Sequence, residues 1–192
     1  MKLQPRFIIK ASILYCVLSA SFSIFGMLLP EKTLQMNALT SLSFQEIMGH
    51  VIWGLIAGAV SLSLRYCLLG GIFALLIDSD HFVGLLHVEA VSRMSHSIFF
   101  GIISVIVMMA VFGKRDYLLG AIAISGLLAH LSYDTLIDTY SEFPIFIPLY
   151  DKMIHFQHFD WIFLEIAAVA IVGSVTLLKG KQGSLDHKVH NE

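Results

Sequence analysis

The sequence predicts an all-α, multi-pass transmembrane helix bundle of about six spans. Hydrophobic residues make up 57% of the 192 positions and charged residues only 14%, whereas an ordinary soluble domain is about a quarter charged. The apolar residues form long continuous runs and do not alternate with polar ones, which excludes a transmembrane β-barrel. Net charge is only −2 without a basic block, so we expect no nucleic-acid partner.

Six stretches are long enough to cross a bilayer, which takes about 20 apolar residues in a helix. The first is preceded by basic residues and is too long for a signal-peptide core, so we interpret it as a retained anchor. The third loses its apolar character after Ile77, so its helix is either short or polar in its outer third. The predicted spans are 7–29, 46–64, 66–86, 96–112, 117–137 and 161–178.

The basic residues predict how these spans are oriented, because loops on the cytoplasmic side are enriched in Lys and Arg. If the spans alternate and both termini are cytoplasmic, nine of the twelve basic residues fall inside. We therefore predict an integral protein of the cell membrane with the bilayer as its partner. The predicted cytoplasmic basic residues are Lys2, Arg6, Lys10, Arg65, Lys114, Arg115, Lys179, Lys181 and Lys188.

Ionisable side chains recur at one depth, in the outer half of the predicted bilayer, on four different spans. Each buried Asp costs about 2.5 to 3.5 kcal/mol on insertion scales, and such groups usually face one another inside a bundle. Their shared depth suggests a common ligand. The candidates are His50, Asp78, Asp80, His96, His130 and Asp134, with His81 next to them.

A divalent metal suits this set, because imidazole and carboxylate donors bind zinc, manganese or iron. His130 and Asp134 are separated by four residues and share a helix face, which Asp138 continues if the helix persists. An unwound turn after Ile77 would aim Asp78 and Asp80 at one point. More than four donors are enough for one metal or two. Helix-helix hydrogen bonds and a proton relay are the alternatives for individual residues.

The same residues carry a family resemblance over about 46–150. The chain resembles the membrane-bound metal-dependent hydrolases that include LexA-regulated inner-membrane proteins. The elements are His50 in an apolar helix, the run Ile77-Asp78-Ser79-Asp80-His81, the element Arg93-Met94-Ser95-His96-Ser97, the helix Gly126-Leu127-Leu128-Ala129-His130-Leu131-Ser132-Tyr133-Asp134-Thr135, and a following segment with Pro144 and Pro148.

The resemblance implies a hydrolase-like bundle, which we assign to 46–178. The apolar and polar patterns of the chain itself predict an anchor helix and outer loop in 1–45 and a polar tail in 179–192. This chain departs from the family pattern at two points. It has Ile77 where the family tends to have Pro, and Ser92-Arg93-Met94 where the family has His-Arg-Gly.

These patterns together predict a metal-dependent hydrolase. A bound metal lowers the pKa of its water and polarises a carbonyl or phosphoryl oxygen. His81 or Asp138 could act as general base, and Arg93 could bind the phosphate or carboxylate of an amphiphilic, lipid-like substrate. A proton- or metal-coupled transporter, and a catalytically silent metal-binding subunit of a membrane complex, are the two alternatives.

Overall fold

The computed structural model describes residues 4–28, 37–38, 43–86, 90–138, 140–150 and 152–189. Within these residues the chain is almost entirely helical, with two pairs of two-residue antiparallel strands, β1 with β2 and β3 with β4. The predicted all-α class is confirmed. The elements are α1 (Pro5–Gly26), β1 (Asn37–Ala38), α2 (Phe44–Ala59), α3 (Leu64–Leu76), a 3-10 segment (Ile77–Leu86), β2 (Ala90–Val91), a 3-10 turn (Met94–His96), α4 (Ile98–Phe112), α5 (Tyr117–Ile137), β3 (Glu142–Phe143), β4 (Ile154–His155) and α6 (Asp160–Val189).

Three of the described helices are long and apolar enough to cross a membrane, namely α1, α5 and the Asp160–Lys181 part of α6. The helices α2, α3 and α4 have 16, 13 and 15 residues, fewer than a full span takes. A membrane protein is therefore indicated by length and composition, and six full-length spans remain a prediction.

Burial separates the three long helices into a central one and two peripheral ones. Most of α5 is buried, whereas α1 and α6 expose much of their apolar surface, including Phe163, which is 72% exposed. Large apolar side chains facing outward along two helices form the surface expected of a bundle in contact with lipid. The helix α5 thus provides the central wall for any buried polar group.

The helices alternate in direction, so the bundle has two distinct ends. At one end, Arg65 at the start of α3 donates to Gln4 before α1 over 3.0 Å, and Phe7 of α1 packs on Phe112 at the end of α4. At the other end, the last turns of α5 approach the first turns of α2, where Tyr133 donates to the carbonyl of Gln45 over 3.1 Å.

Glycines allow α2 and α3 to cross in close contact. A Cβ added at Gly54 would collide with the carbonyl oxygen of Gly70, and one at Gly58 would meet the backbone of Cys67 at 2.9 Å. Small residues at such crossings let helix backbones approach in membrane bundles. The glycines therefore permit a close contact between the two helices, and this contact brings the end of α3 beside α2.

The helix α3 ends at Leu76, and the chain continues as a 3-10 segment in which Asp78 has a non-helical ψ of 15°. Helix α1 holds this break: Ser19 donates to the carbonyl of Ile77 over 2.7 Å and Ser79 donates to that of Cys16 over 3.0 Å. The predicted span 66–86 is therefore a short α-helix followed by a differently wound segment. Because the winding changes, the side chains after Ile77 do not continue the helix faces of α3.

Candidate metal centre

Three imidazoles and two carboxylates converge in the interior of the bundle, near the end where α3 stops. They come from α2, the segment after α3, the turn before α4, and α5, which are separate parts of the chain. All except Asp134 are at most 4% exposed, and Asp134 is 15% exposed. We call this group the His/Asp cluster, and its members are His50, Asp78, His96, His130 and Asp134.

His130 is oriented by its neighbour helix. Its Nδ1 lies 2.9 Å from the carbonyl oxygen of Ala74 in α3, so this nitrogen must carry the proton and donate it. In the neutral imidazole the lone pair is then on Nε2. That Nε2 lies 3.5 Å from Asp78 Oδ1 and 3.4 Å from Asp134 Oδ2.

His96 presents its Nε2 to the same space from the opposite side. The guanidinium of Arg93 lies 3.0 Å from this nitrogen, and because an Arg can only donate, Nε2 of His96 must accept. In the neutral ring the proton is on Nδ1, which is 3.0 Å from the hydroxyl of Ser95. That hydroxyl in turn lies 3.4 Å from Asp80 Oδ2.

His50 closes the cluster from α2. Its ring stacks on that of His130, with centroids 4.1 Å apart, and its Nε2 lies 3.4 Å from one oxygen each of Asp78 and Asp134. Gly49 makes this approach feasible, because a Cβ there would overlap the ring of Tyr133 on α5. The stacked pair therefore depends on a close contact between α2 and α5.

One oxygen of Asp78 is buried and has no hydrogen-bond partner among the described residues. It lies 3.5 to 3.6 Å from the Nε2 atoms of His130 and His96. A buried carboxylate oxygen without a hydrogen bond is costly unless a cation compensates it. A guanidinium nitrogen of Arg93 is 4.0 Å from the same oxygen, and a bound cation would give this oxygen a closer positive partner.

The donor separations match those around a metal ion. Ligands at about 2.0 to 2.1 Å in a tetrahedral site are roughly 3.3 to 3.4 Å from each other. The His50 to Asp78, His50 to Asp134 and His130 to Asp134 pairs are all 3.4 Å apart. The residues present therefore fit a metal, and these buried His and Asp groups could hold one.

Asp80 has a carboxylate oxygen within 4.8 Å of ligand atoms of Asp78 and His81, so these three residues could form a second metal-binding group. Its carboxylate turns toward α1, where it accepts from Ser23 over 2.9 Å. It also lies 3.4 Å from the Ser95 hydroxyl, which contacts His96 Nδ1, so Asp80 lies behind His96 as well.

His81 and Arg93 border the more open side of the cluster. The Nε2 of His81 is 3.9 Å from Asp78 Oδ1, and a guanidinium nitrogen of Arg93 is 3.5 Å from Asp134 Oδ2. Their side chains are 18% and 26% exposed, more than any cluster member. Arg93 has a positive φ of 51°, a strained conformation for a residue with a Cβ.

Asp138 is not brought to the cluster. Helix α5 ends at Ile137, and Asp138 has an extended backbone and an exposed side chain that accepts from the amide of Tyr140 over 3.1 Å. Because α5 ends one residue before Asp138, this residue does not continue the helix face shared by His130 and Asp134. A direct role for Asp138 at the cluster has no geometric support.

Two serines of α1 support the cluster and were missed by the sequence analysis. Both are fully buried. Ser19 donates to the backbone at the break after α3, and Ser23 donates to Asp80. A signal was available, because Ala11, Tyr15, Ser19 and Ser23 repeat every four residues and form one helix face. Hydroxyls on one stripe of an apolar span indicate a polar neighbour.

Comparisons with known proteins identify no relative of this chain. A scan against protein-family models, a search of curated proteins and a search of solved structures each found no match to the chain. The geometry of the His/Asp cluster is therefore the basis for the function proposed next.

Proposed function

We propose that this chain is a membrane-embedded metal-dependent hydrolase. The metal is a divalent ion, zinc or manganese, and one or two ions are held by the five residues of the His/Asp cluster. This assignment agrees with the resemblance to the LexA-regulated inner-membrane hydrolases. The observation that carries it is the convergence of three imidazole nitrogens and two carboxylates at metal-ligand separations.

The donor set supports hydrolytic chemistry in particular. Nitrogen and oxygen donors without thiolate favour a Lewis-acidic ion, and such an ion lowers the pKa of a bound water to about 7. The hydrogen bonds behind His96 and His130 fix their rings in the orientation that a ligand needs. Support of this kind is typical of metal-binding histidines.

Arg93 supports an anionic substrate. Its guanidinium lies against the cluster at the more exposed side, where a substrate would enter. A planar guanidinium binds a phosphate or carboxylate in two places at once. We therefore propose an amphiphilic substrate with a phosphate or ester group, which approaches along the outer half of the bilayer. We assign proton exchange with water to His81, whose Nε2 is 3.9 Å from Asp78.

The first test is the metal content of detergent-purified protein by elemental mass spectrometry. We expect one or two divalent ions per chain, and loss of at least 90% of them in the variant His130→Ala, Asp134→Ala. The matched control is His155→Ala, Glu142→Ala, which removes an exposed His and acid 3.9 Å apart on β3 and β4. Equal metal in all three proteins, or none after loading with zinc or manganese, would overturn the metal centre.

Hydrolysis needs a second test, because a silent subunit could also hold a metal. The loaded protein is presented with phosphate monoesters, phosphodiesters and carboxylic esters of lipids, with and without a chelator. We expect release of phosphate or fatty acid that the chelator stops and that added metal restores. A metal-loaded protein without activity on any of these classes would favour the silent subunit.

A proton-coupled transporter is the second candidate function, and Glu165 favours it. Both carboxylate oxygens of this α6 residue are buried and have no hydrogen-bond partner among the described residues. An acid inside a membrane helix is often part of a proton path. Vesicles that contain the protein would then show proton or metal flux, which Glu165→Gln would abolish. The hydrolase predicts no flux.

A further inference from the structure

A second polar site lies at the end of the bundle opposite the His/Asp cluster. A cavity of about 450 Å³ opens there between the loop that joins α2 to α3, the start of α1 and the part of α6 around Thr176 to Gly180. Its polar lining includes Ser61, Ser63, Arg65, Tyr66, Thr176 and Lys179. None of the lining residues that the structure describes is acidic.

Ser63 is a buried polar residue of this cavity whose hydroxyl has no hydrogen-bonding role in the described fold. It precedes α3, where a serine hydroxyl usually accepts from an amide of the first helical turn. Here it makes no such bond. The residue is 8% exposed, and its Oγ has no hydrogen-bond partner among the described residues. A buried hydroxyl of this kind points to a ligand in the cavity.

Positive charge surrounds that hydroxyl. Arg65 is held in place by Gln4, which accepts from it over 3.0 Å, and by the rings of Phe7 and Tyr66 on which its guanidinium stacks. Lys179 supplies a second cation from α6. The first amides of α3 also point out of the helix end and carry its positive dipole.

The carboxylate of Asp116 does not compete for these donors. It accepts from the hydroxyl of Tyr66 at 2.7 and 2.8 Å and from the amide of Leu119 at 3.1 Å. It is therefore occupied in joining α3 to α5 and does not line the cavity. The cavity keeps two cations, a free hydroxyl and a helix N-terminus for an outside anion.

We propose that this pocket binds a phosphate group, and that the group belongs to the headgroup of an anionic phospholipid. Phosphate is the ligand that a helix N-terminus, an Arg and a Lys together favour. Exposed leucines near the pocket, Leu62, Leu64, Leu177 and Leu178, are 84%, 60%, 70% and 64% exposed. Such a surface suits acyl chains, which a free phosphate lacks.

The test measures lipid binding to the full chain in detergent by native mass spectrometry, with phosphatidylglycerol and phosphatidylcholine as probes. We expect phosphatidylglycerol to bind and phosphatidylcholine to bind at least about tenfold more weakly. The variant Ser63→Ala, Lys179→Gln should lose about tenfold in affinity for phosphatidylglycerol. The matched control Ser174→Ala, Lys114→Gln alters exposed residues that do not line the pocket and should bind as the parent does.

A parallel titration with inorganic phosphate separates the two sources of the phosphate group. Binding of inorganic phosphate as tight as that of the lipid, and weakened in the pocket variant, would keep the phosphate site but overturn the lipid. Equal lipid and phosphate binding by the parent, the pocket variant and the control would overturn the site. The metal content of the pocket variant should stay at the parent level, so this result is independent of the proposed hydrolase.

Discussion

The Nε2 atoms of His96 and His130 lie 3.0 Å apart, and the other ring nitrogen of each is engaged elsewhere. His130 donates from Nδ1 to the carbonyl of Ala74, and Arg93 donates to Nε2 of His96. In the neutral rings neither Nε2 atom therefore carries a proton, and the lone pair of His96 accepts from Arg93. Two unprotonated nitrogens at this distance repel each other unless a cation, either a proton or a metal ion, is bound beside them.

The hydrogen bond behind His96 should control metal affinity. In Ser95→Ala the ring loses the hydroxyl 3.0 Å from its Nδ1, and with it the link to Asp80. We expect metal affinity to fall about 10- to 100-fold, as for other supporting contacts of metal-binding histidines. Competition with a metal-sensitive dye would measure this.

The control for this variant is Ser104→Ala, which removes a buried hydroxyl that donates within α4 to Gly101 over 2.8 Å. Its metal affinity should equal that of the parent. If Ser95→Ala also binds metal like the parent, the chain from His96 through Ser95 to Asp80 has no role in holding the metal.

Asp134 and Asp138 should differ sharply although they are four residues apart. Asp134→Ala removes two oxygens, Oδ1 at 3.4 Å from His50 and Oδ2 at 3.4 Å from His130, and should lower metal occupancy at least about tenfold. Asp138→Ala removes an exposed side chain beyond the end of α5 and should leave occupancy unchanged. Elemental analysis of both variants checks this, and equal losses would mean that α5 continues beyond Ile137.

Arg93→Gln should separate metal binding from substrate binding. The guanidinium lies 3.0 Å from a nitrogen and 3.5 Å from an oxygen of the cluster, so its charge opposes a metal there. We expect the variant to bind metal more tightly and to hydrolyse anionic substrates with a raised KM. Weaker metal binding would instead make Arg93 a structural support of the cluster.

Gly54→Ala should destabilise the bundle. The added Cβ would collide with the backbone of Gly70 and lie 2.8 Å from the Cβ of Ala74, and overpacking of this kind costs about 1 to 3 kcal/mol. Thermal unfolding in detergent should show a lower Tm. Gly180→Ala is the control, because a Cβ there meets nothing within 4 Å, and an unchanged Tm in Gly54→Ala would mean that α2 and α3 are not in close contact.

The general architecture follows from the sequence because a lipid bilayer permits few backbone structures. In lipid every backbone amide and carbonyl must be paired within its own segment, so long apolar runs can only be helices. Six helices accordingly fall where the six apolar runs lie. Their exact lengths do not follow, since the end of α3 depends on the hydroxyls of Ser19 and Ser79, which bond across to the neighbouring backbone.

The residue types of the cluster could also be predicted, because ionisable groups are too costly in a bilayer to occur there without partners. The sequence therefore predicts that His50, Asp78, Asp80, His96, His130 and Asp134 belong together, and five of these form the His/Asp cluster. It could not determine which way each side chain points. Asp80 contacts Ser23 and Ser95 although it also lies within 4.8 Å of Asp78, and Asp138 leaves the cluster because α5 ends before it. Sequence periodicity predicts which side chains share a helix face only as far as the helix extends, and tertiary contacts decide where each helix ends.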